Sequence, residues 1–403
     1  MKFLIFLILN FELEDYLNAI KFKTPASEYA KDSIIKMGEK VLPDLFKIVK
    51  NKKEDVEYRI EICNLIGKIK NKNSIPVLVE LLKESHPGLR KEAVKAIGEL
   101  KDTSCLKYIV KMLDDPHDIV RREAIIAIKK TEDKRAINFL RRMLLKERDY
   151  SNISEILRAL GDLKAKEALK EIFNFLKFKE ENIKISSIYA IGEIGEINKE
   201  IVDTFLNLLE NGTDYIKREV IISLGKIKCK EAVQKIAKFL NSPNRTLKFE
   251  AIKSLSNIES DSSLIFLINE IFDPDKEIRD FVKEIIKNRE KIGEKLENII
   301  YKEKDLKTKK GAFEILKEIY KKEELIYVIK KIFPDRKNEI YELILKGEVK
   351  EGMSEDEVFL SKGEPKRVAF YKEKNKKEWE YEDKIIEFKQ GKVTKIKEIP
   401  NKF

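Results

Sequence analysis

Apolar residues along most of this chain fall at offsets of three to five, and that stripe itself returns about every 31 residues. Each copy ends on a large aliphatic residue followed by a slot that is often glycine: Leu65-Ile66-Gly67, Ala96-Ile97-Gly98, Ala159-Leu160-Gly161, Ala190-Ile191-Gly192 and Ser223-Leu224-Gly225. The slot recurs without glycine at Ala127-Ile128-Lys129, Ser254-Leu255-Ser256, Ile285-Ile286-Lys287 and Ile315-Leu316-Lys317. Five residues before the slot stand Ile62, Ala93, Ala124, Ile156, Ser187, Val220, Ala251, Val282 and Ala312, which completes the buried stripe of an amphipathic helix. Gly67, Gly98, Gly161 and Gly225 suit a helix C-terminus, where glycine adopts the left-handed conformation without steric cost. After the slot come a polar turn and a second apolar run, such as Ile75 to Leu82, Cys105 to Leu113 and Ala232 to Leu240. The next turn often carries proline and a capping residue, as in Asp115-Pro116-His117-Asp118 and Asp273-Pro274-Asp275. Each unit therefore reads helix, turn, helix, turn.

The clearest copy, Asp115-Pro116-His117-Asp118-Ile119-Val120-Arg121-Arg122-Glu123-Ala124, pairs an Asp-Pro turn with a hydrophobic-Arg step and an Ala-rich helix. In this it resembles the HEAT repeat family, in the short form typified by phycobilisome-lyase-like repeats. The resemblance implies an all-α solenoid, an α-α superhelix of about ten units over residues 25–346, with the second helix of each unit on a concave face.

After Leu345 the period stops and the pattern changes. Ser354 with Glu357 forms a capping box that starts a short helix, and Gly363 and Pro365 end it. Alternating residues predict strands at about 366–372, 378–389 and 392–399, with turns at Asn375-Lys376 and Gln390-Gly391. Residues 347–403 thus read as a small α+β module. Gly352, Met353, Gly363, Pro365, Trp379, Tyr381, Phe388 and Gly391, with Val358, Ile385 and Val393, stand at spacings that resemble the SmpA/OmlA (BamE-like) family. That family implies a small structural or adaptor part of the bacterial envelope. A plain reading of the same residues is a cap that seals the last repeat.

A column of charge runs through the units. Eight residues before each slot stand Arg59, Arg90, Arg121, Ile153, Lys184, Lys217, Lys248, Arg279 and Lys309, and two residues later Glu61, Glu92, Glu123, Glu155, Glu219 and Glu250. The cations form either an inter-repeat ladder, each meeting turn carbonyls or a neighbour's carboxylate, or a row of anion contacts able to follow a phosphate backbone. The glutamates favour the ladder because they neutralise such a row, and Ile153 interrupts it.

Charge changes the picture little. The net charge is +11 in 403 residues. Residues 347–403 hold 14 Lys/Arg and 13 Asp/Glu and contribute +1, which leaves the repeats a thin excess of +10. A dedicated nucleic-acid protein is usually more lopsided. Charged residues make up 38% and glutamine appears only at 234 and 390, a thermophile-like bias that a low-GC genome also produces. Cys63 stands where other units carry Val94, Ile125 and Ile188, Cys105 where they carry Ala136, Ala168 and Ala232, and Cys229 lies in a turn, so neither a disulfide framework nor a metal site is expected. His86 and His117 occupy equivalent turns of adjacent units, too far apart to share a metal.

Met1 to Leu9 is short, apolar and begins with one Lys. It fits a signal peptide, or an apolar helix that caps the first repeat; it is too short to span a bilayer. Taken with the C-terminal resemblance it tilts the expected location towards the periplasm or envelope rather than the cytoplasm. Residues 1–24 are set apart on this ground, and the only membrane association expected is through them. No phosphate loop, dinucleotide glycine motif or nucleophile elbow occurs, and no cofactor is expected. The expected function is a non-catalytic scaffold or adaptor that binds a protein partner. The rivals are a nucleic-acid-binding repeat protein, with the DNA glycosylases as its enzyme extreme, and a chromophore-lyase-like protein.

Overall fold

A computed structural model describes residues 12–371 and 375–400, so the apolar run Met1 to Leu9 lies outside the described residues. The chain divides into two compact units, Met1–Ile227 and Lys228–Phe403. The division falls inside the repeats.

In the first unit the slot-bearing helices are long and regular: Val56–Ile69, Pro87–Glu99, Asp118–Thr131, Tyr150–Asp162, Glu181–Ile194 and Asp214–Lys226. Between most of them lie shorter, broken helices that open on a 3-10 turn, such as Lys72–Ser74 running into Ile75–Leu81, while Lys199–Asn211 is a continuous helix. Asn71, Asp102 and Asp133 start these turns by accepting a hydrogen bond from the backbone N–H two residues on. The aliphatic residue before the slot is sealed in every copy: Ile66, Ile97, Ile128, Leu160, Ile191 and Leu224 have no exposed surface.

The slot glycines do not end their helices. Gly67, Gly98, Gly161 and Gly192 lie inside them, and the reason is close packing. A Cβ on Gly98 would stand 2.8 Å from Ala127 Cβ and 2.9 Å from Ala127 Cα; Gly67 meets Ala96, Gly161 meets Ala190 and Gly192 meets Ser223 in the same way. Each of these four glycines is thus a notch that receives the small residue two before the next slot. The left-handed position falls three residues later, and it is filled by Lys70, Lys101, Glu132, Lys164 and, once only in this unit, glycine, at Gly195.

These notches let successive long helices pack closely, whereas the short helices of neighbouring repeats scarcely meet. In the first unit the slot-bearing helices therefore form one closely packed row.

The second unit continues the helix pairs with Arg245–Ile258, Lys276–Lys287 and Leu306–Ile319 as its long helices. It ends in the helix Glu355–Lys362 and a four-stranded antiparallel meander, β1 (Arg367–Tyr371), β2 (Lys376–Glu380), β3 (Lys384–Lys389) and β4 (Lys392–Glu398). The strand expected at 378–389 is two strands. The Tyr381 N–H donates to Lys384 O at 2.8 Å and closes a tight turn over Glu382 and Asp383. The expected capping box is present, with Ser354 and Glu357 exchanging hydrogen bonds. Among the described residues no helix is long and apolar enough to cross a membrane.

Candidate functional site: the charged ladder and the long-helix face

The ladder cations share one geometry where they are arginine. Arg90 Nη1 donates to the carbonyls of Glu84 and Ser85, six and five residues earlier, at 2.8 and 2.7 Å. Arg121 does so to Asp115 and Pro116, and Arg279 to Asp273 and Pro274. The other edge of the guanidinium reaches forward 25 or 26 residues to the next unit's turn. Arg90 grips Asp115 through two bonds of 2.7 and 2.9 Å, Arg121 grips Glu147 at 2.8 and 3.0 Å, and Arg59 meets Glu84 at 2.7 Å. Arg90 and Arg121 thus clamp their own turn and pin the next, whereas Arg279 grips its own turn and Arg59 adds a bond to Val49 O at 2.8 Å. The planar fork can satisfy both at once, which an ammonium cannot.

Burial alone would raise the Asp115 carboxyl, but the Arg90 fork and the His117 N–H hold it below its usual range. Glu147 follows the same logic. Burial opposes the charge, yet Arg121, the N–H groups of Asp149 and Arg148, and Asn152 outweigh it and bring the carboxyl down to about 2.

Lysine fills the column differently. Lys248 pairs forward with Asp273 and with Glu270 at 3.1 Å. Lys184, Lys217 and Lys309 make no ion pair among the described residues, so the row is not continuous. Ile153 is buried, and 25 residues on the turn carries Phe178 rather than a carboxylate, so cation and acceptor are lost together.

The long-helix face of the first unit carries the glutamate column and its neighbours. Here the charges answer one another across repeats. Lys130 meets Glu99 at 2.6 Å, Lys129 lies between Glu155 and Asp162 at 3.5 and 3.4 Å, and Glu193 is held by Lys164 at 2.5 Å and by Lys226. Lys95 pairs with Glu92 at 2.8 Å, and Asn64 donates to the same carboxylate at 2.6 Å. Tyr189 donates to Asp162 at 2.6 Å while Arg158 stacks on its ring. The outcome is a mixed and largely neutralised surface with shallow grooves between helices. One such groove, about 260 Å³, is lined by Asn64, Lys68, Glu92, Lys95 and Glu99.

His86 and His117 occupy helix N-cap positions. Cys63, Cys105 and Cys229 are buried free thiols. No group of three His, Cys, Asp or Glu among the described residues is placed to hold a metal ion.

In the C-terminal module Met353, Trp379, Tyr381 and Phe388 come together as the core under the helix Glu355–Lys362. Trp379 packs at 4.8 Å from Phe388 and edge-on to Phe359 at 6.2 Å. Tyr381 donates to Gly363 O at 2.9 Å. Gly352, Gly363 and Gly391 take left-handed turns, and Pro365 lies between the helix and β1. Two residues that the pattern gave no reason to single out bind this module to the last repeats. Lys310, next to the ladder position, is buried with its ammonium on Leu360 O (2.7 Å), Ser361 O (2.9 Å) and Glu314 (2.6 Å). Burial lowers its pKa. Arg336 forks onto Glu357 and donates to Gly352 O at 2.8 Å.

This is the architecture of a helical-repeat solenoid with a small α+β module. Its repeats are HEAT repeats: the model for that family, described as HEAT repeats, matches residues 42–129, 81–155 and 202–285. Solved structures similar in fold include the complex of CpcE and CpcF of phycocyanin lyase from Nostoc, at 19% identity over 59% of this chain and 93% of that chain with a TM-score of 0.39. YibA of Escherichia coli matches at 16% identity over 66% of this chain and 98% of that chain, TM-score 0.47. An engineered protein matches at 18% identity over 79% and 97%, TM-score 0.44. No curated protein matches the chain. The likeness of residues 347–403 to the SmpA/OmlA family has no counterpart among these matches and rests on its own residues.

Proposed function

We propose that the protein is a non-catalytic scaffold that binds a protein partner along the long-helix face of its repeats. The observation that carries this reading is the pairing of charges on that face. Lys129, Lys130, Lys164 and Lys226 all meet carboxylates of their own or a neighbouring helix. A face that tracks phosphates needs cations in excess, because its affinity comes from neutralising one phosphate after another and releasing counterions. A mixed face suits a protein surface, where charges of both signs set register and apolar contacts supply affinity.

The ladder arginines, on this reading, are structural. Their donors are already committed to turn carbonyls and carboxylates. The test is titration of labelled duplex DNA and single-stranded RNA with the full chain, over a range of salt. The account expects only weak binding that vanishes near physiological ionic strength. Tight binding there, with a steep salt slope, would overturn it in favour of a nucleic-acid role.

A further inference from the structure

The two edges of the C-terminal sheet are treated differently. On β4 the outer edge is occupied at its start, where Gly352 N–H donates to Val393 O at 2.9 Å and Val393 N–H to Met353 O at 2.8 Å. A bridge between Ser354 and Lys392 continues the cover. The rest of β4 carries Lys395 and Lys397, the charged guard that keeps an edge from pairing further. On β1 nothing comparable exists. No described segment pairs with its outer side. Its residues are Arg367, Val368, Ala369, Phe370 and Tyr371, with Val368 52%, Phe370 59% and Tyr371 44% exposed.

The register shows which way these side chains lie. Val368 stands opposite Trp379, and Phe370 opposite Lys377, which in turn faces Phe388. Residues opposite one another in an antiparallel ladder share a face. Val368 and Phe370 therefore extend the apolar Trp379–Phe388 face beyond the reach of the helix Glu355–Lys362. An unguarded edge with an apolar strip beside it is a template for one more strand.

We propose that this strand is β1 of a second copy of the chain, paired antiparallel about a two-fold axis at Ala369 to join two four-stranded sheets into one. The sequence of β1 is self-complementary in that register. Val368 falls opposite Phe370 of the second copy, an aromatic against a β-branched residue on the apolar face. On the other face Arg367 meets Tyr371 and alanine meets alanine. The one charged residue of the strand never faces its own copy, as it does in a parallel in-register pairing, and like charges directly opposite are unfavourable. The covered and lysine-bearing β4 edge stops the sheet there, so the assembly closes as a dimer instead of growing into a fibre. With five residues per copy the contact is at the small end of specific interfaces, so the dimer is weak and concentration-dependent.

Sedimentation velocity of the full chain across a wide concentration range tests this, together with two variants. The expected result is a reversible monomer–dimer equilibrium that Phe370→Lys abolishes. Under oxidising conditions Ala369→Cys should give a disulfide-linked dimer, because opposed Cβ atoms in such a pair are about 5 Å apart. The three native cysteines are buried and should not compete. Lys395→Cys, on the guarded edge, should not cross-link. Fluorescence of Trp379, the single tryptophan, checks that each variant keeps its fold. A chain that stays monomeric throughout overturns the proposal, as does a dimer indifferent to Phe370→Lys. If Phe370→Lys loses its fold, the Ala369→Cys cross-link decides alone, and its absence counts against the pairing.

Discussion

At the scale of single residues, two kinds of position carry the repeat: the notch and the clamp. The notch at Gly98 has no room for a methyl group, since Ala127 backbone and side chain both lie within 3 Å of where it would sit. Gly98→Ala should therefore destabilise the first unit by about 1–3 kcal/mol, the usual cost of overpacking a filled core. Glu132 is the reverse case. It holds the left-handed position after the helix Asp118–Thr131 at φ 54°, a conformation that penalises a side chain. Glu132→Gly should raise the melting temperature, with a gain of up to about 1 kcal/mol. Thermal unfolding of the two variants checks both signs together. The sequence showed that glycine mattered at the slot but not why. A glycine that ends a helix and one that admits a neighbour look alike in a single chain. The clue was the small residue two before the following slot, at Ala96, Ala127, Ala190 and Ser223, which accompanies each glycine it meets.

The clamp has a pH signature. Glu147 is held down to about 2 by Arg121 and three further hydrogen bonds, against an ordinary glutamate value near 4.5. A carboxyl whose pKa is lower in the folded state adds stability above its unfolded value and loses it as pH falls through the folded one. Stability of the first unit should therefore decline between about pH 4.5 and 2. Glu147→Gln should flatten part of that decline while lowering stability at neutral pH; chemical denaturation at several pH values reads both.

At the scale of elements, the ladder was legible as a column of cations and its direction was not. Repetition showed where the cations stood, but their acceptors, 25 or 26 residues on, are Asp in some turns and Glu in others, so no single repeated residue announces them. Ile153 makes the point. Its repeat lacks the cation, and the position 25 residues on is Phe178 rather than a carboxylate, so Ile153→Arg should bury a charge without its usual partner and destabilise the unit rather than restore a missing rung. Lys310 was silent in the sequence for a related reason. Its partners are two backbone carbonyls about fifty residues away. Lys310→Ala leaves those carbonyls without their side-chain donor and Glu314 with Lys317 alone, at a cost of roughly 2–4 kcal/mol. Unfolding followed by Trp379 fluorescence should show the C-terminal module melting earlier. The split of the expected 378–389 strand has a local cause as well. Trp379 and Tyr381 alternate at odd positions and Ile386 and Phe388 at even ones, and the change of phase across Glu382 and Asp383 is the turn that alternation alone passes over.

At the scale of the molecule, a repeat protein gives up a central cavity for a long surface, and function then lies in what that surface presents. Here the long-helix face presents paired charges of both signs, with shallow grooves between helices. The most direct test of the account is site-specific photo-cross-linking in a native extract. A benzophenone side chain placed at Ile126 or Tyr189 on the long-helix face is compared with one at Lys107 on a short helix, with and without nuclease treatment. The account predicts a discrete protein adduct from the long-helix positions that survives nuclease and is absent from Lys107. Adducts that disappear with nuclease, or that form equally at Lys107, would contradict it.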